Sequence, residues 1–166
     1  MKIILNVILY QLIWLLCVLG ANTGAIMALP LLLVHLVTSR TRLADLKMMG
    51  LMVFLGTIVD GTLQQMGFFS FTTSGFPIPF WLLVIWLGLA ITPNHSLAWL
   101  QYRPLLSAFF GALGGPVAYW AGARLGAAAF GWPMLQAMAF LAVVWAFLWV
   151  LVMYVSVLFK PSAPRR

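Results

Sequence analysis

The chain has 166 residues, of which 64% are hydrophobic and 7% charged, and it carries a formal net charge of +7. A water-soluble domain usually has roughly a quarter of its residues charged, so this composition cannot build a polar exterior. The basic excess does not mark a nucleic-acid binder either, because the lysines and arginines gather at the ends of apolar runs rather than among exposed aromatics.

With a mean hydropathy of +1.09, the expected fold is an all-α, polytopic membrane helical bundle. Lipid offers no partner to a bare peptide group, so each spanning segment must satisfy its own backbone as a helix. At ~20 residues per span, the chain has room for about six, joined by short loops. They form a single transmembrane domain over residues 1–160, followed by a disordered basic tail at 161–166.

Segment 1 is predicted over Ile3–Gly20. Met1-Lys2 before an apolar run resembles a signal peptide, but Asn6, Gln11 and Trp14 interrupt the run and no A-x-A site follows, so a retained helix is expected. Cys17 is the lone cysteine, which excludes an internal disulfide. A tight turn at Gly20-Ala21-Asn22 leads into segment 2, Thr23–Val37, which contains Pro30 and is short enough to be re-entrant. Segment 3 covers Met48–Met66, and segment 4 covers Ile78–Leu97 after the breaker Pro77-Ile78-Pro79. Segment 5, Pro104–Ala123, opens on a proline, which suits a first helical turn. Segment 6, Pro133–Phe159, is long enough to tilt. Trp81, Trp99, Tyr102 and Trp132 fall near segment ends, as an aromatic belt would.

With the N-terminus in the cytoplasm, that side holds Lys2, Arg40, Arg42, Lys47, Arg103, Lys160, Arg165 and Arg166, and the outer side holds Arg124. The positive-inside rule then predicts both termini in the cytoplasm of a bacterial inner membrane.

Few side chains can carry chemistry. The two acids are Asp45 and Asp60, and Asp60 lies inside an apolar run, about 18 Å from the start of segment 3. A carboxylate at that depth costs roughly 3 kcal/mol unless it faces the bundle and finds partners. Gly56, Asp60, Gln64 and Gly67 share one helix face, and Tyr119 and Arg124 are placed on the same outer half. Asp60 with Gln64, Tyr119 and Arg124 is therefore either a hydrogen-bonded packing node or a substrate, lipid or proton site. Thr92-Pro93-Asn94-His95-Ser96 forms a second group at the inner end of segment 4. Pro93 frees the Leu89 carbonyl, and Asn94, His95 and Ser96 offer replacement partners. This is either a capped helix break or, with Arg103, a site for an anionic headgroup. His35 is expected at similar depth, which opens a haem or quinone reading. With no glutamate and no second cysteine for the further ligands zinc needs, no metal site and no cofactor are expected.

A third group is the stripe Ser107, Gly111, Gly115, Ala118, Gly122 and Gly126 along segment 5. Gly111, Gly115 and Gly122 give a flat face suited to close helix packing, or to a groove for an acyl or isoprenoid chain. Paired-carboxylate catalysis lacks its second intramembrane acid. A serine triad needs an acid beside a histidine, and Asp60 and His95 are expected in opposite leaflets.

Several of these residues carry a family resemblance. They are the opening Asn6…Tyr10-Gln11-Leu12-Ile13-Trp14…Cys17-Val18-Leu19-Gly20-Ala21, the pair Asp60-Gly61 with Gly67 and Phe71, the run Asn94-His95-Ser96-Leu97-Ala98-Trp99-Leu100, and Gly111-Ala112-Leu113-Gly114-Gly115-Pro116…Tyr119-Trp120-Ala121-Gly122…Leu125-Gly126. Together they resemble the bacterial inner-membrane proteins grouped as domain of unknown function 2878. Asn22 departs from the small residue that resemblance leads one to expect. The resemblance implies a small polytopic membrane protein and no established reaction. Members are often encoded near cyclopropane-synthase-like and flavin-dependent fatty-acid enzymes, which implies a part in handling membrane acyl chains.

Three functions follow as expectations. The first is a lipid- or acyl-chain-interacting accessory protein, with membrane lipids and lipid-modifying enzymes as partners. The second is a small proton-coupled permease centred on Asp60. The third is a structural or assembly subunit without ligand, for which a homo-oligomer is open.

Overall fold

The computed structural model describes residues 3–160; the basic tail predicted at 161–166 lies outside the described residues. Five α-helices, α1 (Ile3–Thr38), α2 (Arg42–Gln65), α3 (Phe80–Ala90), α4 (Pro104–Arg124) and α5 (Met134–Leu158), make up most of it. Two short strands, β1 (Phe69–Phe71) and β2 (Ala128–Phe130), and a 3₁₀ turn at Ala98–Leu100 complete the order.

The first helix is two helices in one. Ala21 has φ 46° and ψ −132°, inside an otherwise helical run of 36 residues. Asn6 in the first arm donates to the Ile91 carbonyl (3.1 Å) and accepts from the Ser96 N–H (3.1 Å). The His35 ring in the second arm lies 4.8 Å from that of His95. A straight helix would hold Asn6 and His35 roughly 40 Å apart, so α1 must double back at Ala21. The arms meet at Gly24, where an added Cβ would lie 1.8 Å from the Leu16 carbonyl oxygen. This agrees with the turn expected at Gly20-Ala21-Asn22.

Segment boundaries shift elsewhere. α2 begins at Arg42 rather than at Met48, which brings Asp45 and Lys47 onto the helix. The predicted segment 4, Ile78–Leu97, is corrected: its helix covers only Phe80–Ala90, and turns follow to the 3₁₀ element. Non-helical backbone inside an apolar bundle must find partners from neighbouring groups. Here Asn6 takes Ile91 and Ser96, and Gln101 Nε2 donates to the Pro93 carbonyl at 2.9 Å. The Leu89 carbonyl freed by Pro93 accepts from Thr92, by its N–H (3.1 Å) and its hydroxyl (2.9 Å), not from Asn94, His95 or Ser96.

The loops on the side of the bundle away from Asn6 and His95 were not expected to pair. They form an antiparallel ribbon, with Phe69 opposite Phe130, Ser70 opposite Ala129 and Phe71 opposite Ala128. Gly67 (φ 68°) and Gly126 (φ 85°) turn the ends of α2 and α4 into these strands. α1, α2, α4 and α5 are long and apolar enough to cross a membrane, and α3 is a shorter apolar helix of 11 residues.

Packing divides the bundle into two parts. α1 and α2 pack on α3, and α4 packs along α5. The parts meet where Trp86 of α3 stacks on Trp145 of α5, with ring centroids 5.4 Å apart and planes inclined by 11°.

Candidate functional site

Asp60 faces the interior and is fully buried. The Trp86 indole N–H donates to its Oδ2 at 2.7 Å, and the Tyr119 hydroxyl donates to its Oδ1. Three helices, α2, α3 and α4, thus converge on one carboxylate. An indole N–H only donates, so its partner oxygen must accept. Of the three residues grouped with Asp60 by sequence, Tyr119 is in contact. Gln64, one turn further on, is half-buried, and its Oε1 is buried without a partner. Arg124 is exposed and makes no salt bridge with Asp60.

Trp86 was not foreseen. The one available signal was Gly56, a turn before Asp60: a Cβ there would lie 2.3 Å from the Trp86 ring. The stripe on α4 acts similarly. A Cβ on Gly115 would come 2.1 Å from the Trp145 ring, and one on Gly111 would come 2.4 Å from the Trp145 carbonyl oxygen. Gly111 and Gly115 therefore seat tryptophans of α5, whereas a Cβ at Gly122 would meet no heavy atom within 4 Å.

A second polar cluster lies at the basic end. Asp45, in the first turn of α2, is fully buried. Its Oδ2 is 3.0 Å from His95 Nε2 and 3.3 Å from His35 Nε2. It also accepts from the Ser39 hydroxyl (2.5 Å) and the Thr41 hydroxyl (3.4 Å). Asn94 Nδ2 donates to Oδ1 at 3.4 Å. His35 Nδ1 is buried and has no partner. The edge-to-face contact of the two imidazoles leaves no gap for a porphyrin between them. Asn94 and His95 are thus turned toward Asp45, while Arg103 is exposed, 5.9 Å over the Trp99 ring. Counting ligands along the sequence leaves out Asp45, because a position outside the apolar run reads as a solvated loop. The helix that begins at Arg42 carries it inward instead.

A groove runs between the first arm of α1 and α4. It encloses a cavity of about 470 Å³, bordered by Tyr10, Gln11 and Trp14 on one side and by Phe110, Gly114 and Val117 on the other. Gln11, Phe110 and Val117 are exposed, so the groove opens on the flank of the bundle. Trp145 and Trp149 form part of its floor. A small adjoining pocket of about 70 Å³ is lined by Trp86 and Tyr119, the two donors to Asp60.

No curated protein and no solved structure matches the chain. Residues 3–151 match the family described as protein of unknown function (DUF2878), and the chain belongs to that family.

Proposed function

We propose that the protein is an intramembrane lipid-handling accessory protein, whose flank groove holds one acyl or isoprenoid chain. The observation that carries this reading is the cavity of about 470 Å³ between α1 and α4, lined almost wholly by apolar and aromatic groups. That volume falls within the ~300–1,000 Å³ of small-molecule sites. A chain lying there trades lipid neighbours for protein ones and meets few polar groups, chiefly the Gln11 amide and the Tyr10 hydroxyl on the border.

Phe110, on the groove border, touches the Trp99 ring at 5.5 Å, and Trp99 carries Arg103. Arg103 is therefore the residue positioned for an anionic headgroup at the basic end. Asn94 and His95 are withdrawn from that role by Asp45. The permease reading centred on Asp60 is less well supported, because both carboxylate oxygens are held by Trp86 and Tyr119 and Asp60 lines neither cavity.

This reading sets the protein in a bacterial inner membrane with six crossings. Each arm of α1 crosses once, α3 crosses together with the turns after it, and the basic end lies in the cytoplasm. The fold-back at Ala21 and the gathering of Arg40, Arg42, Lys47, Arg103 and Lys160 at one end support it.

The test is a photoactivatable fatty acid supplied to cells that make the protein. It should label groove residues, and Gly114→Phe should cut that labelling severalfold. A Cβ at Gly114 meets nothing within 4 Å, so the added ring fills the groove rather than the core. Labelling of equal yield and position in wild type and variant would remove the proposal.

A further inference from the structure

We propose that His35, Asp45 and His95 form a binding site for a single divalent transition-metal ion, with Zn²⁺ the best-fitting candidate. Three separate stretches of chain supply the ligands: the end of the second arm of α1, the first turn of α2, and the turns after α3. One potential ligand atom from each lies within 4.8 Å of the others. The two Nε2–Oδ2 distances, 3.3 and 3.0 Å, are close to the edge of a tetrahedron around an ion bound at ~2.0–2.1 Å, the usual zinc–nitrogen and zinc–oxygen lengths, and the widest spacing of the group, 4.8 Å, must shorten as an ion draws the side chains in. Two imidazoles and one carboxylate are also the three-ligand donor set that leaves a fourth position open on zinc, or further positions on Fe²⁺.

Hydrogen bonding alone accounts poorly for the arrangement. Four side-chain heteroatoms, from His35, His95, Ser39 and Thr41, crowd a single oxygen of Asp45. The other oxygen has one long contact, to Asn94. A carboxylate serving only as an acceptor would spread its donors over both oxygens. Two imidazole nitrogens and a carboxylate oxygen gathered this closely can all turn toward one ion set between them. Ser39, Thr41 and Asn94 then hold the carboxylate in place, as hydrogen bonds commonly do around a metal ligand.

Access is from the basic end. His95 is 9% exposed, and Ser39, Thr41 and Asn94 around it are half-buried, whereas His35 and Asp45 are sealed. Arg40 and Arg42 nearby are exposed and point their charge into water, where it is screened. The cluster is apart from the groove border, so this site and the lipid reading stand or fall separately.

The experiment uses the full chain purified in detergent and stripped with a chelator. Zn²⁺ should bind with a stoichiometry of one by calorimetry, and Co²⁺ should give the visible absorption of a low-coordinate nitrogen–oxygen site. Asp45→Asn and the double variant His35→Gln with His95→Gln should lose both signals. Asn94→Ala keeps all three ligands and so should fold, yet bind about tenfold more weakly. Wild-type protein that takes up neither ion would overturn the site. So would a folded double variant that binds both ions as wild type does.

Discussion

The cost of burying Asp60 is offset locally. Leaving one buried oxygen without a donor costs ~1–3 kcal/mol, so Tyr119→Phe should destabilise the protein by about that amount. The Oδ1 contact is lost while the ring remains. Thermal or denaturant unfolding in detergent would measure it, and an unchanged midpoint would show that Asp60 does not depend on the phenol. The same residue scale explains the glycines. Gly56 and Gly115 each lie against the face of a tryptophan ring, so the stack of Trp86 on Trp145 is built on two missing methyl groups. Their spacing along the helices is visible in the sequence. Which bulky residue each one receives is not, because that residue comes from another helix.

Among the elements, α1 holds the least comfortable backbone. Ala21 adopts a positive φ with a strongly negative ψ, as in the first corner of a type II′ turn, a position that favours glycine. A positive φ costs an L-residue roughly 1–2 kcal/mol. Ala21→Gly should therefore raise stability by up to about 1 kcal/mol, because the more flexible unfolded chain returns part of the gain. A fall in the unfolding midpoint would mean that the alanine methyl makes a contact worth more than the strain. The apex is fastened to α3 by Asn22, whose Oδ1 accepts from the Trp81 N–H at 3.3 Å. The departure from a small residue at Asn22 thus has a structural use. The arms, the turn and Pro30 were readable from sequence. The short reach of α3 was legible only in part: Pro93 marked a break near the end of a helix drawn to Leu97, whereas the helix ends at Ala90, where Asn6 and Thr92 take up the freed backbone groups.

For the whole molecule, the arrangement predicts opposite faces for two exposed loops. Phe76, 91% exposed, lies beyond the ribbon-side end of α3, and Tyr102, 78% exposed, lies beyond the basic end. The single native cysteine, Cys17, is buried and gives a quiet background. An impermeant thiol reagent added to intact cells should label Phe76→Cys, and should label Tyr102→Cys only after the membrane is opened. Labelling of both from outside would break the proposed topology.

By itself the sequence determined the helical class, the apolar character of the long helices and the approximate ends of most segments. Those follow from apolar run length and from the need of each peptide group to bond within its own segment. It also singled out Asp60, because a carboxylate in an apolar run must face inward. The tertiary structure alone decided which groups meet. Trp86 reaches Asp60 from another helix, Asp45 joins two histidines from separate stretches of chain, and the α1–α4 groove lies between elements far apart in order. Hydropathy is a property of each residue, whereas a site is a property of distances between residues. Those distances are set only when the helices pack.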